Sequence, residues 1–270
     1  MVATTSSLVT GVAAALLYLL GSVMQLRRLS PSTSTNLKPL IGIAVPALML
    51  HALTTYWAIA SPQGIHLGLF TTASLVTLVM AAFVLLASLR LPVHNLMVLV
   101  FPIGALGAIG TLVGESTFAP LEALSANLIF HILVSIAAYS VLFMAACQSI
   151  ALGVQEHYLR AKHGIAFIRL LPPLETMETL LFTMLWAGLA ALSVAIASGF
   201  AFLDDMFDQH VAHHTILSSL SWLMYVVLLA GHKFLGWRGV SAVRWTLIAF
   251  SLLLLGYFGS KFVLEILLQS

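Results

Sequence analysis

Eight apolar runs, each close to the length of one bilayer crossing and parted by short polar breaks, dominate this chain of 270 residues. They lie at about Leu8 to Met24, Leu40 to Ala60, Leu67 to Leu89, Asn95 to Val113, Asn127 to Gly153, Thr179 to Phe202, Ile216 to Phe234 and Val243 to Leu268. A spanning helix needs about 20 mainly apolar residues. Inside lipid each such segment must satisfy its own backbone N–H and C=O groups, and a helix does so alone. The expected fold is therefore all-α, one polytopic transmembrane domain over residues 1–270 built as a bundle of eight helices. Composition agrees, with 61% hydrophobic and 7% charged residues, against about a quarter charged in soluble domains. The mean hydropathy is +1.07.

The first run is short enough for a signal peptide, but no Lys or Arg precedes it and Arg27 and Arg28 follow it. That is the reverse of a secretory leader, so a retained first span is expected. Sorting the basic residues gives the orientation. One set of alternate loops holds Arg27, Arg28, Lys38, Arg90, Arg160, Lys162, Arg169, Lys233, Arg238 and Arg244, and only Lys261 falls on the other side. Loops rich in Lys and Arg stay in the cytoplasm. Both termini are then expected in the periplasm, together with the segment from Leu203 to Thr215. The net charge of +2 has this topological meaning first, and nothing points to nucleic acid. Cys147, the single cysteine, offers no disulfide or thiol pair.

Charge is scarce, so its placement is informative. Leu203 to Thr215 holds Asp204, Asp205 and Asp208 with His210, His213 and His214. His51 falls mid-span in the second run, and His131 about one turn into the fifth, on a face shared with Asn127, Ser135 and Tyr139 at steps of four. Ionisable residues within spans face protein and mark function; the plainer reading is a histidine hydrogen-bonded to a neighbouring helix. Two imidazoles in an apolar pocket are a common way to hold haem iron. His131 lies near the outer surface, where His210 or His213 from the loop can reach the same level. His51 is deeper, which suits a second site or a relay. The loop spacing also suits zinc or copper with the aspartates as further ligands, or simply a hydrated loop. Trp222 follows Ser218 and Ser219 by a turn and is a candidate pocket residue. Lys261 and Glu265, four apart, read as a snorkelling ion pair or as an anchor for a carboxylate such as a haem propionate. No glycine-rich phosphate loop, nucleophile elbow, His-Glu-x-x-His or Cys-x-x-Cys is present, so no enzymatic activity is expected.

Leu171-Pro172-Pro173-Leu174-Glu175, Trp186-Ala187-Gly188-Leu189 and Ser198-Gly199-Phe200 resemble the approach to the haem-handling loop of cytochrome c assembly membrane proteins of the CcsA/CcmC type. Ser221-Trp222-Leu223-Met224-Tyr225, Gly236-Trp237-Arg238-Gly239 and Tyr257-Phe258-Gly259 resemble the stretch after that loop. His131, with Tyr139 eight residues on, resembles the family's first external haem ligand. The resemblance covers about Asn127 to Glu265. Two departures stand out: Leu203 to Thr215 contains no Trp, and Lys261 to Ser270 contains no His. The pattern resembles the HemX/YpjD-like branch, which lacks the tryptophan-rich loop.

The resemblance implies a bacterial inner-membrane protein of haem handling, linked to cytochrome c biogenesis or to tetrapyrrole metabolism. The expected cofactor is haem b near the periplasmic face: the resemblance implies His131 as one iron ligand, depth and side rather than the family pattern offer His210 or His213 as the other, and His51, Trp222 and Lys261 are further candidate cofactor residues. Expected partners are lipid, haem or another tetrapyrrole, and proteins of those pathways. Two readings compete. One is a cofactor-free scaffold or regulator acting through the cytoplasmic stretch from Val154 to Leu174; the other is a metal-ion permease using the Asp and His loop.

Overall fold

The computed structural model describes residues 5–28, 37–61, 64–114, 125–161, 171–202 and 212–267. Among them eight helical segments are long and apolar enough to cross a membrane, the fourth counted from His94 and the eighth on to Leu267. They are α1 (Thr5–Arg28), α2 (Lys38–Ile59), α3 (Leu69–Ser88), α4 (Met97–Val113), α5 (Ala126–Ala161), α6 (Leu174–Phe202), α7 (Ala212–Leu235) and α8 (Val240–Leu254). A 3-10 turn, His94–Leu96, leads into α4, and wide π-turns carry α8 on to Leu267. The turn expected after α2 is flanked by two-residue antiparallel strands, with Ala60 opposite Ile65 and Ser61 opposite Gly64. The chain divides into two compact units, Met1–Ala123 and Leu124–Ser270.

The helices put their small and polar residues inward. α1 buries Ser7, Gly11, Ala14, Ala15, Tyr18, Gly21, Ser22 and Gln25 at helical spacing, while Val9, Leu16, Leu20 and Val23 are exposed. In lipid, Leu gains nothing by leaving the surface, so association rests on close backbone approach and on interhelical hydrogen bonds. α1 supplies one such bond, from Ser22 Oγ to the Val98 carbonyl at 3.0 Å.

In the second unit α5 runs eight residues past the apolar run, to Ala161, because Glu156 and Arg160 form an i,i+4 ion pair on the added turns. α6 begins at Leu174, five residues before its apolar run, since the Pro173 carbonyl accepts the Met177 N–H and Glu175 sits in the first turn, where the helix dipole favours an anion. At this end Gln155 Nε2 donates to the Pro172 carbonyl at 3.0 Å and Glu178 accepts the Gly239 N–H at 2.8 Å. Gly236 and Gly239 hold φ of +67° and +53°, which only glycine adopts at low cost. The turn between α7 and α8 depends on them.

α5 and α6 pack tightly at Gly188. A Cβ there would lie 2.7 Å from Leu142 Cγ, and Leu142 is fully buried. Gly188→Val is therefore expected to destabilise the second unit by about 1–3 kcal/mol through overpacking, seen as a lower thermal midpoint in detergent.

Candidate functional site

α5, α6 and α7 border a cavity of about 60 Å³, lined by His131, Ser135 and Tyr139, by Leu192, Ala195 and Ile196, and by His214, Thr215, Ser218 and Ser219. The four-residue steps along α5 bring His131, Ser135 and Tyr139 to it, as the pattern suggested. Asn127, one turn earlier, is exposed, because steps of four overshoot a 3.6-residue turn and the face drifts. Tyr139 is fixed by donating its O–H to the Leu253 carbonyl on α8 at 3.0 Å.

The tautomer of His131 follows from counting protons. Ser198 spends its one hydroxyl proton on the Ala195 carbonyl at 2.9 Å, so at 3.0 Å from His131 Nδ1 its oxygen can only accept. Nδ1 then carries the ring proton and Nε2 keeps the lone pair. This is the usual arrangement of a metal-binding histidine, in which the hydrogen bond at one nitrogen orients the other. Ser198 belongs to the Ser-Gly-Phe motif, and its role as the orienting group is a feature that only the structure supplies. Both ring nitrogens of His51, in the first unit, are engaged. Thr55 donates to the His51 carbonyl at 2.8 Å, so Ser74 donates to Thr55 at 2.7 Å and accepts from His51 Nε2 at 2.9 Å. That leaves His51 Nδ1 to accept the Tyr18 O–H at 3.2 Å. The imidazole knits α1, α2 and α3 together and has no lone pair to spare.

The loop histidines separate. α7 starts at Ala212, four residues before its apolar run, so His213 and His214 are helical rather than in a loop. His213 is exposed. His214 lines the cavity with His131, its Nδ1 3.3 Å from Ser218 Oγ, a looser contact than an ordinary N–H···O bond. The signal was present in the sequence: His214, Ser218, Ser221 and Tyr225 follow helical spacing, with Ser218, Ser221 and Tyr225 buried. Asp204, Asp205, Asp208 and His210 lie outside the described residues. Among the described residues no three His, Cys, Asp or Glu side chains gather as a metal site.

Trp222 is half-buried and donates its indole N–H to Ser193 Oγ at 2.8 Å; it ties α7 to α6 and does not line the cavity. Lys261 Nζ is 3.9 Å from Glu265 Oε1 and 5.4 Å from the Tyr257 ring centre. Tyr257 in turn meets His214 edge to face at 5.5 Å. Tyr257 lies in the first π-turn of the last helix, Leu255–Gly259. Lys261 thus stands one aromatic ring away from the cavity.

A haem can be tested against this arrangement. The donor chemistry fits: two imidazoles, one with an oriented Nδ1, meet in a mostly apolar recess, with an ammonium nearby for a carboxylate. The recess, partly open and about 60 Å³ in volume, is smaller than pockets that enclose a whole organic ligand, about 300–1,000 Å³. The cavity fits the space beside the imidazoles and not an entire macrocycle.

The chain is 29% identical over 227 residues to the Inner membrane protein YpjD of Escherichia coli K12, covering 83% of this chain and 86% of that relative. It is 34% identical over 237 residues to an uncharacterized 28.8 kDa protein in the nifR3-like 5' region of Azospirillum brasilense, covering 84% of each. No solved structure matches at a significant level. With eight apolar helices long enough to span, this is a multi-pass inner-membrane protein. The model of the Cytochrome C assembly protein family matches residues 42–268, reaching back through three spans that precede the resembling motifs, and the chain belongs to that family.

Proposed function

We propose that this protein handles haem at the outer face of the inner membrane in support of cytochrome c biogenesis, as a binding protein and not an enzyme. The observation that carries the reading is the meeting of His131 and His214 in one recess between α5, α6 and α7, with Ser198 orienting His131. Haem, when bound, would supply the iron and its redox chemistry. The chain's own residues supply two imidazoles, the apolar wall of Leu192, Ala195 and Ile196, and Lys261 for a propionate. His131 and His214 would hold the iron from within the recess, and Lys261 would meet a propionate beside it.

The orientation belongs to the same reading. In the second unit one end gathers Arg160, Lys233, Arg238 and Arg244, and the other carries His131, His214 and Lys261. The arginine-rich end is cytoplasmic by the positive-inside rule, which puts the recess on the periplasmic side. Single cysteines at His213 and at Arg238, in a Cys147→Ser background, test this. In intact spheroplasts an impermeant maleimide is expected to label position 213 and to spare 238, and the opposite pattern rejects the orientation.

Haem titration of the purified protein in mild detergent tests the function. A saturable Soret band with the sharp visible bands of bis-imidazole haem is expected. If no band forms, the haem reading fails and a cofactor-free scaffold stands in its place. The exposed Tyr158, Leu159 and Arg160 on the last turns of α5 are then the surface to delete in a partner pull-down.

A further inference from the structure

The proton count that fixes His131 can be repeated around His214, where it finds a second orienting serine with a tyrosine behind it. The parts come from three helices. Tyr139 on α5 donates its single hydroxyl proton to the Leu253 carbonyl on α8 at 3.0 Å, so its oxygen is left only to accept. Ser218 on α7 is hydrogen-bonded to that tyrosine and stands 3.3 Å from His214 Nδ1. Ser218, Tyr139 and His214 line the same recess.

The end of α8 explains why these groups meet. Two residues after Leu253 the helix widens into the π-turn Leu255–Gly259, a feature often found at functional sites. Gly256 in that turn lies against α7: a Cβ there would be 3.1 Å from Leu217 Cβ, 3.5 Å from the His214 carbonyl oxygen and 3.6 Å from Ser218 Oγ. The missing side chain lets α8 approach the turn of α7 that carries His214 and Ser218. Tyr257, the next residue, meets the Tyr139 ring at 6.1 Å and the His214 ring at 5.5 Å. It touches both ends of the polar chain.

The protons then fall into one order. With the Tyr139 proton on Leu253, Ser218 gives its own proton to the Tyr139 oxygen. The Ser218 oxygen is left to accept from His214, so Nδ1 carries the ring proton and Nε2 keeps the lone pair. The bond is long at 3.3 Å, as orienting bonds often are before a ligand is held. We infer that Tyr139, acting through Ser218, is a positioning residue that holds His214 in the tautomer with a bare Nε2, the counterpart of what Ser198 does for His131. The consequence for iron rests on the haem reading proposed above, whereas the tautomer itself does not.

Solid-state NMR of the full-length protein in lipid, with isotope-labelled histidine, reads the ring proton directly, because protonated and bare ring nitrogens resonate far apart. The signals lost in His131→Ala and in His214→Ala identify the two rings. In the unsubstituted protein both are expected to show a protonated Nδ1 and a bare Nε2. Tyr139→Phe removes the oxygen that accepts from Ser218 and frees that proton for His214 Nδ1. The His214 ring proton is expected to move to Nε2, while the His131 signal stays. Ser218→Ala removes the acceptor itself and is expected to leave His214 as a mixture of the two tautomers. A His214 ring protonated at Nε2 without any substitution, or one that stays wholly protonated at Nδ1 in both variants, overturns the inference whether or not haem binds. Haem titration is the separate readout, and Tyr139→Phe is expected to lower affinity about 10–100-fold. Unchanged affinity in a variant whose tautomer has moved would remove the positioning role. Absence of a Soret band in the unsubstituted protein, with the His214 tautomer as expected, would sink the haem reading and leave the Tyr139 and Ser218 assignment standing.

Discussion

Replacing His131 by alanine is expected to abolish the bis-imidazole spectrum of the haem-loaded protein, and replacing His214 by alanine to do the same. Each removes one of the two nitrogens that the recess offers to iron. Ser198→Ala should leave both imidazoles in place and lower haem affinity by about 10–100-fold, the usual effect of removing a group that orients a metal ligand. His213→Ala should change nothing, since His213 is exposed. Titrations of these four variants, with His210→Ala beside them, discriminate sharply. A band lost with His210→Ala and kept with His214→Ala would move the second ligand into the loop. A band indifferent to His131→Ala would end the haem reading at this recess.

His51→Ala is expected to cost stability and not ligand binding. It strands the Tyr18 hydroxyl, a buried donor, at about 1–3 kcal/mol, takes from Ser74 one of its two side-chain partners while leaving the bond to Thr55, and opens a cavity where α1, α2 and α3 meet. The milder Tyr18→Phe removes one of those bonds and keeps the packing, so its loss should be smaller than that of His51→Ala. Thermal unfolding followed by tryptophan fluorescence measures both. Tyr18→Phe should keep the haem titration unchanged. A Soret band shifted by Tyr18→Phe would instead give His51 a part in binding haem, as its mid-span position suggested.

The divergence between His213 and His214 shows how a short helical extension decides a site. Hydropathy places the start of α7 at Ile216, the first residue of the apolar run, which leaves both histidines in a loop and free to be chosen by spacing alone. Helix hydrogen bonding does not stop where hydropathy does, and α7 begins at Ala212. Once both are helical, a rotation of about 100° per residue separates them: His214 turns to the recess while His213 remains exposed. Lys261 with Glu265 was legible as an i,i+4 pair. The π-turn that sets Tyr257 between Lys261 and His214 was not, since a wide turn leaves no mark in periodicity.

The sequence by itself determined the solvent and the secondary structure. Eight long apolar runs in a chain with so few charges leave helices in a bilayer as the arrangement that satisfies every backbone group, and the family motifs need only the linear order of residues to be read. Tertiary structure alone decided which polar atoms are spoken for. His51 and His131 look alike in sequence, each an imidazole within an apolar run. Packing gives His51 a donor and an acceptor from two other helices, and sets His131 against Ser198, whose proton is already committed elsewhere. A hydrogen bond depends on an angle and on tenths of an ångström between residues far apart in the chain, and no local pattern encodes that.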